Sequence, residues 1–153
     1  MGYALLSLDS DPPRLLRCGL VAVERTLSTG DRLLAIANAL DALIAEYVPS
    51  ALALERLYFN KNVKTAMVVA EARGVALVCG ARARLQIAEY TPQEVKQGVT
   101  GSGAADKKAV QQMIVHVLNL DAPITEDNVA DAVAVAVTYA HRARFAARVA
   151  LAR

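Results

Sequence analysis

The stretch EYTPQEVKQGVTGSGAADKKAVQQM, residues 89–113, holds two helix starts separated by a glycine-rich loop. Thr91 is placed to cap the first helix, with Pro92 at its first position, because a threonine hydroxyl accepts an early backbone N–H and proline has none to leave unpaired. Gly98 to Gly103 reads as the loop, and beyond it Val110, Met113, Ile114, Val117 and Leu118 recur at the spacing of one helix face. The loop amides, followed by Lys107 and Lys108, suit a phosphate, although no Gly-Lys-Ser/Thr follows and a P-loop is excluded.

Working outward, the last segment runs to Ala152. Val133, Val135 and Val137 alternate like a strand, but the intervening alanines and the length of the run suit a helix. Upstream, Gly2 to Leu8 and Leu15 to Val23 are apolar runs on either side of Asp9-Ser10-Asp11-Pro12-Pro13, which predicts a β-hairpin. Leu33, Ile36, Ala37, Leu40, Leu43 and Ile44 predict an amphipathic helix after Ser28-Thr29-Gly30, ended by Pro49-Ser50. Ala51 to Leu57 is short and apolar and predicts a buried strand. Lys64 to Gly80 predicts a largely buried helix and Arg84 to Ala88 a further strand. A hairpin followed by alternating helices and strands defines an α/β chain with a mixed central sheet and helices on both faces, read here as one domain over residues 1–153.

Composition narrows the function. The chain has 153 residues, 55% of them hydrophobic and 21% charged, which fits a packed globule. A net charge of +2 is too small to announce a polyanion partner, so a nucleic-acid surface would come from local clustering of charge. Cys18 and Cys79 are far apart and flanked by apolar residues, which makes them core residues rather than a metal pair. The apolar runs are short and broken by charge, so no membrane partner and a cytoplasmic location are expected.

Among the polar residues, Glu55 stands at the end of an apolar strand, where a carboxylate has no packing purpose. It is either a ligand or a side chain reaching solvent past the strand end. Glu126, Asp127 and Asp131 gather at the head of the last helix, where the helix dipole alone favours acids. Asp131 sits between apolar residues and is expected to point inward, in one cluster with Asp127 and Asn128. His116 and His141 have no partner at ligand spacing.

Taken together, LALERLYFNKNVKTA (52–66), EARGVAL (71–77), residues 89–113 and DNVADAVAVAVTYAH (127–141) resemble the RuvC family of Holliday junction resolvases over nearly the whole chain. That resemblance implies a ribonuclease H-like fold, a homodimer, and symmetric cutting of four-way DNA junctions with two Mg²⁺ or Mn²⁺ ions per active site. Such hard cations are held by clustered carboxylates. By position, Glu55 and Asp131 match family metal ligands, and Asn128 stands where the family usually has Asp or His. An amide brings no charge and takes no proton. The family's first aspartate lies in an Asp-Pro-Gly strand that precedes the match to Gly2, Tyr3 and Ala4, so this chain is expected to lack it, at a cost in sheet pairing. Tyr58, Asn62, Lys64, Lys96, Lys107 and Lys108 fall where the family meets DNA, Tyr58 near the crossover bases, and residues 64–80 where a dimer would form. A branch-migration helicase is the further partner implied. Two other readings stay open: a junction-binding protein that cannot cut, and a relative acting on another nucleic acid such as an RNA–DNA hybrid.

Overall fold

The computed structural model describes residues 1–24, 26–57 and 63–152, with the side chains of residues 63–65 excepted. Among these the order is β1 (Gly2–Ser7), β2 (Arg14–Leu20), α1 (Thr29–Tyr47), β3 (Ala51–Glu55), α2 (Val63–Arg82), β4 (Gln86–Tyr90), α3 (Pro92–Thr100), α4 (Lys107–Leu118) and α5 (Asp127–Leu151). No described helix is long and apolar enough to cross a membrane. The α/β class is as expected. The described strands form two two-stranded ladders, β1 with β2 and β3 with β4, one in each compact unit described below.

The chain divides into two compact units, Met1 with Val21–Glu89, and Gly2–Leu20 with Tyr90–Arg153. In the first, Ser28 caps α1 by accepting from the Asp31 amide, and Val48 ends it in the left-handed region at φ 45°. α1 packs along α2, where Cys79 is buried in the seam and its Sγ lies 3.9 Å from the Ala37 carbonyl. Residues 66–80 are less buried than their composition predicts. Met67 is 58% exposed and Val78 62%, because α2 is apolar around much of its circumference and α1 covers one side.

In the second unit the hairpin is antiparallel, pairing Gly2 with Leu20 and Leu6 with Leu15, with a bulge between Leu5 and Leu6. Its turn is tied to α5 by Arg144 and Arg148, both of which reach the Asp11 carboxylate. The valine alternation of residues 133–137 lies within helix α5, and Val133, Ala134, Val135, Val137, Thr138 and Ala140 are all buried. Thr91 caps α3 as expected, and Glu94 completes the capping box by accepting from the Thr91 amide at 2.8 Å. The glycine loop starts later than its composition suggested. Gly98 lies inside α3, and Gly101 ends that helix at φ +80°. Gly98 is required by packing: a Cβ there would lie 2.5 Å from Thr138 Cγ2. Thr138 is fully buried, with its hydroxyl 2.9 Å from the Ala134 carbonyl and 3.2 Å from that of Val95. His141 adds a bond from Nδ1 to the Gly98 carbonyl at 2.8 Å. These contacts fix α3, and the loop that leaves it, against α5.

Candidate functional site

The heads of α4 and α5 bring together several of the polar residues singled out in the sequence. Asp106 caps α4 by accepting from the Ala109 amide at 2.7 Å, which puts Lys107 at the first helical position. From there Lys107 Nζ reaches Asp127 Oδ1 at 2.6 Å. Asp127 raises the Lys107 pKa, chiefly through that hydrogen bond. Glu126 is the N-cap of α5: one carboxylate oxygen accepts from the Val129 amide at 2.7 Å, the other from Asn128 Nδ2 at 3.0 Å. Asn128 thus braces the cap.

The inward orientation expected of Asp131 is not found. The buried stripe of α5 runs through Ala130, Val133, Ala134 and Val137, and Asp131 is exposed, one helical step of about 100° from Ala130. Surrounding protein still desolvates its carboxylate enough to raise the pKa, with Asp127 and Glu126 adding to the rise and Lys107 opposing it. Lys108 is exposed, and Lys96 on α3 is half-buried. Tyr58 and Asn62 lie outside the described residues, as does the side chain of Lys64.

In the other unit, Glu55 ends β3 and is exposed. Its backbone carbonyl accepts from Arg73 Nε at 3.2 Å. Arg73 is ion-paired with Glu89 on β4, and Arg56 Nε lies 3.8 Å from the second Glu89 oxygen. Sequence reasoning missed Arg73 and Glu89. Their signal was a cation inside an apolar helix and an acid inside a strand, two placements that demand partners.

Each unit offers carboxylate oxygens, the donors a hard divalent cation prefers: Glu55 in one, Asp127 and Asp131 in the other. Among the described residues no three His, Cys, Asp or Glu side chains converge on one metal position.

Comparison with known proteins supplies the family. The model for "Crossover junction endodeoxyribonuclease RuvC" matches residues 1–139. The RuvC of Alkaliphilus oremlandii is 44% identical over 95% of this chain and 88% of its own length; that of Alkaliphilus metalliredigens is 46% identical over the same shares. Among solved structures, Thermus thermophilus RuvC superposes with a TM-score of 0.87 at 28% identity, covering 95% of this chain and 89% of that one. The same protein in complex with a Holliday junction substrate gives 0.88 at 28% identity, over 95% and 88% of the two chains. The fold is therefore ribonuclease H-like, an α/β framework shared with nucleic-acid-cutting enzymes. The chain belongs to the RuvC family of crossover junction endodeoxyribonucleases.

Proposed function

We propose that this chain is a structure-specific endodeoxyribonuclease that resolves four-way DNA junctions by paired, symmetric nicks during recombination and repair, working as one nuclease domain in the cytoplasm. The observation that carries the reading is the family match over residues 1–139, which spans both the Glu55 strand and the lysine–carboxylate cluster of α4 and α5. A relative with this fold has been solved with a Holliday junction bound. Glu55 and Asp131 are the proposed ligands of Mg²⁺ or Mn²⁺, two ions per site, with Asn128 beside them. When bound, such ions supply charge neutralisation and an activated water. The chain's own groups would hold the ions and bind and orient the DNA. Lys96, Lys107 and Lys108 meet backbone phosphates, with Tyr58, Asn62 and Lys64 as the further DNA contacts proposed near Glu55.

The chain is also proposed to act as a homodimer. The supporting observation is the apolar groove of about 460 Å³ between α1 and α2, lined by Leu33, Leu34, Val75 and Val78, with Leu34 59% exposed. Such a groove is costly to leave in water. A branch-migration helicase is the partner class proposed to act on the same junction.

The test is a labelled four-way junction, with binding measured in EDTA and nicking in Mg²⁺ and in Mn²⁺. Selective binding with symmetric nicks, abolished in Glu55→Gln while binding persists, is the expected result. Nicking that survives Glu55→Gln would remove Glu55 from the site. Binding without nicks favours a junction-binding protein, a reading to which the neutral Asn128 lends weight. Equal binding to duplex, hybrid and junction would overturn junction specificity. For the dimer, Leu34→Glu with Val78→Glu should convert a sedimenting dimer to monomer.

A further inference from the structure

Glu55 occupies the last position of β3, where a strand end is ordinarily free to fray and its side chain to wander. Here the position is held. Arg73, at the middle of α2, donates from Nε to the Glu55 carbonyl at 3.2 Å, and the same guanidinium is paired with Glu89 on the neighbouring strand. The pair is partly shielded, with the Arg73 side chain 21% exposed and that of Glu89 32%, so it is screened less than a surface pair. Glu89 also draws Arg56, the residue next to Glu55, at 3.8 Å. One acid on β4 therefore engages the two guanidinium groups nearest the end of β3.

We infer that Arg73 and Glu89 are positioning residues for Glu55: Arg73 locks the backbone of the strand end, and Glu89 holds the Arg73 guanidinium in place to do so. This rests on the proposed role of Glu55 in the site. The geometry needs a planar fork, because one guanidinium has to donate to a carbonyl on β3 and a carboxylate on β4 together. A lysine ammonium is a point donor on a flexible stem and does not reproduce that arrangement. A functional group is useful only when its supports hold it near the productive geometry, and a displacement of about 1 Å costs on the order of 100-fold in rate.

The test compares Arg73→Lys and Glu89→Gln with the unaltered full chain. Three quantities are read: the side-chain carboxyl carbon signal of Glu55 by NMR in metal-free protein, assigned with Glu55→Gln; junction affinity in EDTA; and the nicking rate. Expected are a moved Glu55 signal in both variants, affinity within about twofold, and nicking reduced at least about tenfold. A Glu55 signal unchanged in both variants would overturn the inference. So would a joint fall of affinity, nicking and Tm, which would assign the trio to folding alone. Should the unaltered chain fail to nick junctions, the enzymatic reading falls, while the carboxyl signal still decides whether Arg73 and Glu89 act on Glu55.

Discussion

Replacing Gly98 by alanine sets two known effects against each other, and the structure decides between them. In a helix, Gly→Ala ordinarily stabilises by about 0.8–1.0 kcal/mol. At this position the new Cβ would lie 2.5 Å from Thr138 Cγ2, 2.7 Å from its Oγ1 and 3.0 Å from its Cβ. Carbon pairs settle at about 3.5–4.0 Å, so roughly 1 Å of displacement is required. Thr138 cannot yield cheaply. It is fully buried, and turning its hydroxyl away from the Ala134 and Val95 carbonyls forfeits about 1 kcal/mol. Overpacking of this kind costs about 1–3 kcal/mol, and occasionally more when a hydrogen bond is lost as well. The balance is a net loss of about 1–2 kcal/mol, which lowers Tm by about 2–8 °C in a domain of this size. Thermal unfolding followed by circular dichroism at pH 7 measures it. Gly98→Ala combined with Thr138→Ala should lose less than the sum of the two single changes, because the two nearest clashing atoms are gone. A Gly98→Ala protein as stable as the unaltered chain, or more so, would refute the close-packing account of α3 on α5.

Four further outcomes follow from the same geometry. Gly80→Ala should be tolerated within about 0.5 kcal/mol, since its nearest neighbour is the mobile end of Leu52, at 2.6 Å from Cδ2 but 3.6 Å from Cβ; paired melts of the two glycine variants check the contrast. Asp131→Asn should raise Tm at neutral pH and remove nicking. Burial first, then Asp127 and Glu126, raise the Asp131 pKa, so ionisation is a cost to the folded chain. The stabilisation that protonation supplies is complete below the ordinary aspartate value of about 3.9 and is lost as pH rises through the higher folded value, so the variant's advantage should disappear on acidification. Thr91→Ala should cost about 1 kcal/mol by removing the cap of α3, read as a fall in Tm. In EDTA, Lys107→Ala should weaken junction binding and reduce the salt slope by about 1, while Asp127→Asn, which frees Lys107 from its ion pair, should tighten binding about two- to fivefold at low salt; fluorescence anisotropy over a salt series tests both.

Much of the fold was legible because it rests on local rules. Thr91 and Pro92 announce the start of α3, and the spacing of Val110, Met113, Ile114, Val117 and Leu118 traces one face of α4. The valines of α5 also read correctly once length was set against alternation. Gly98 was misassigned because a glycine beside Gly101 and Gly103 carries the composition of a loop. Its actual reason, the approach of Thr138 some forty residues away, is a tertiary contact that no local window contains. The same limit hid the partners of Arg73, which come from two strands on either side of α2 in the sequence.

Asp131 and α2 were misread for a shared reason: apolar neighbours were taken to mean an inward direction. Hydrophobicity states that a surface prefers to leave water, and leaves open what covers it. On α2, Met67 and Val78 keep their preference unmet within the unit, which is why a second copy is the proposed cover. On α5, Asp131 borders the buried stripe without joining it, so it keeps solvent contact while nearby protein still disfavours its charge. A carboxylate kept in that setting destabilises the fold at neutral pH; Asp127 and Glu126 add to the cost, and Lys107 offsets it only in part. The stability lost at Asp131 is then the quantity to set against activity. If Asp131→Asn gains Tm and loses nicking together, the charge is retained for the reaction. If it gains Tm and nicking persists, the acid is a surface residue and the site lies elsewhere.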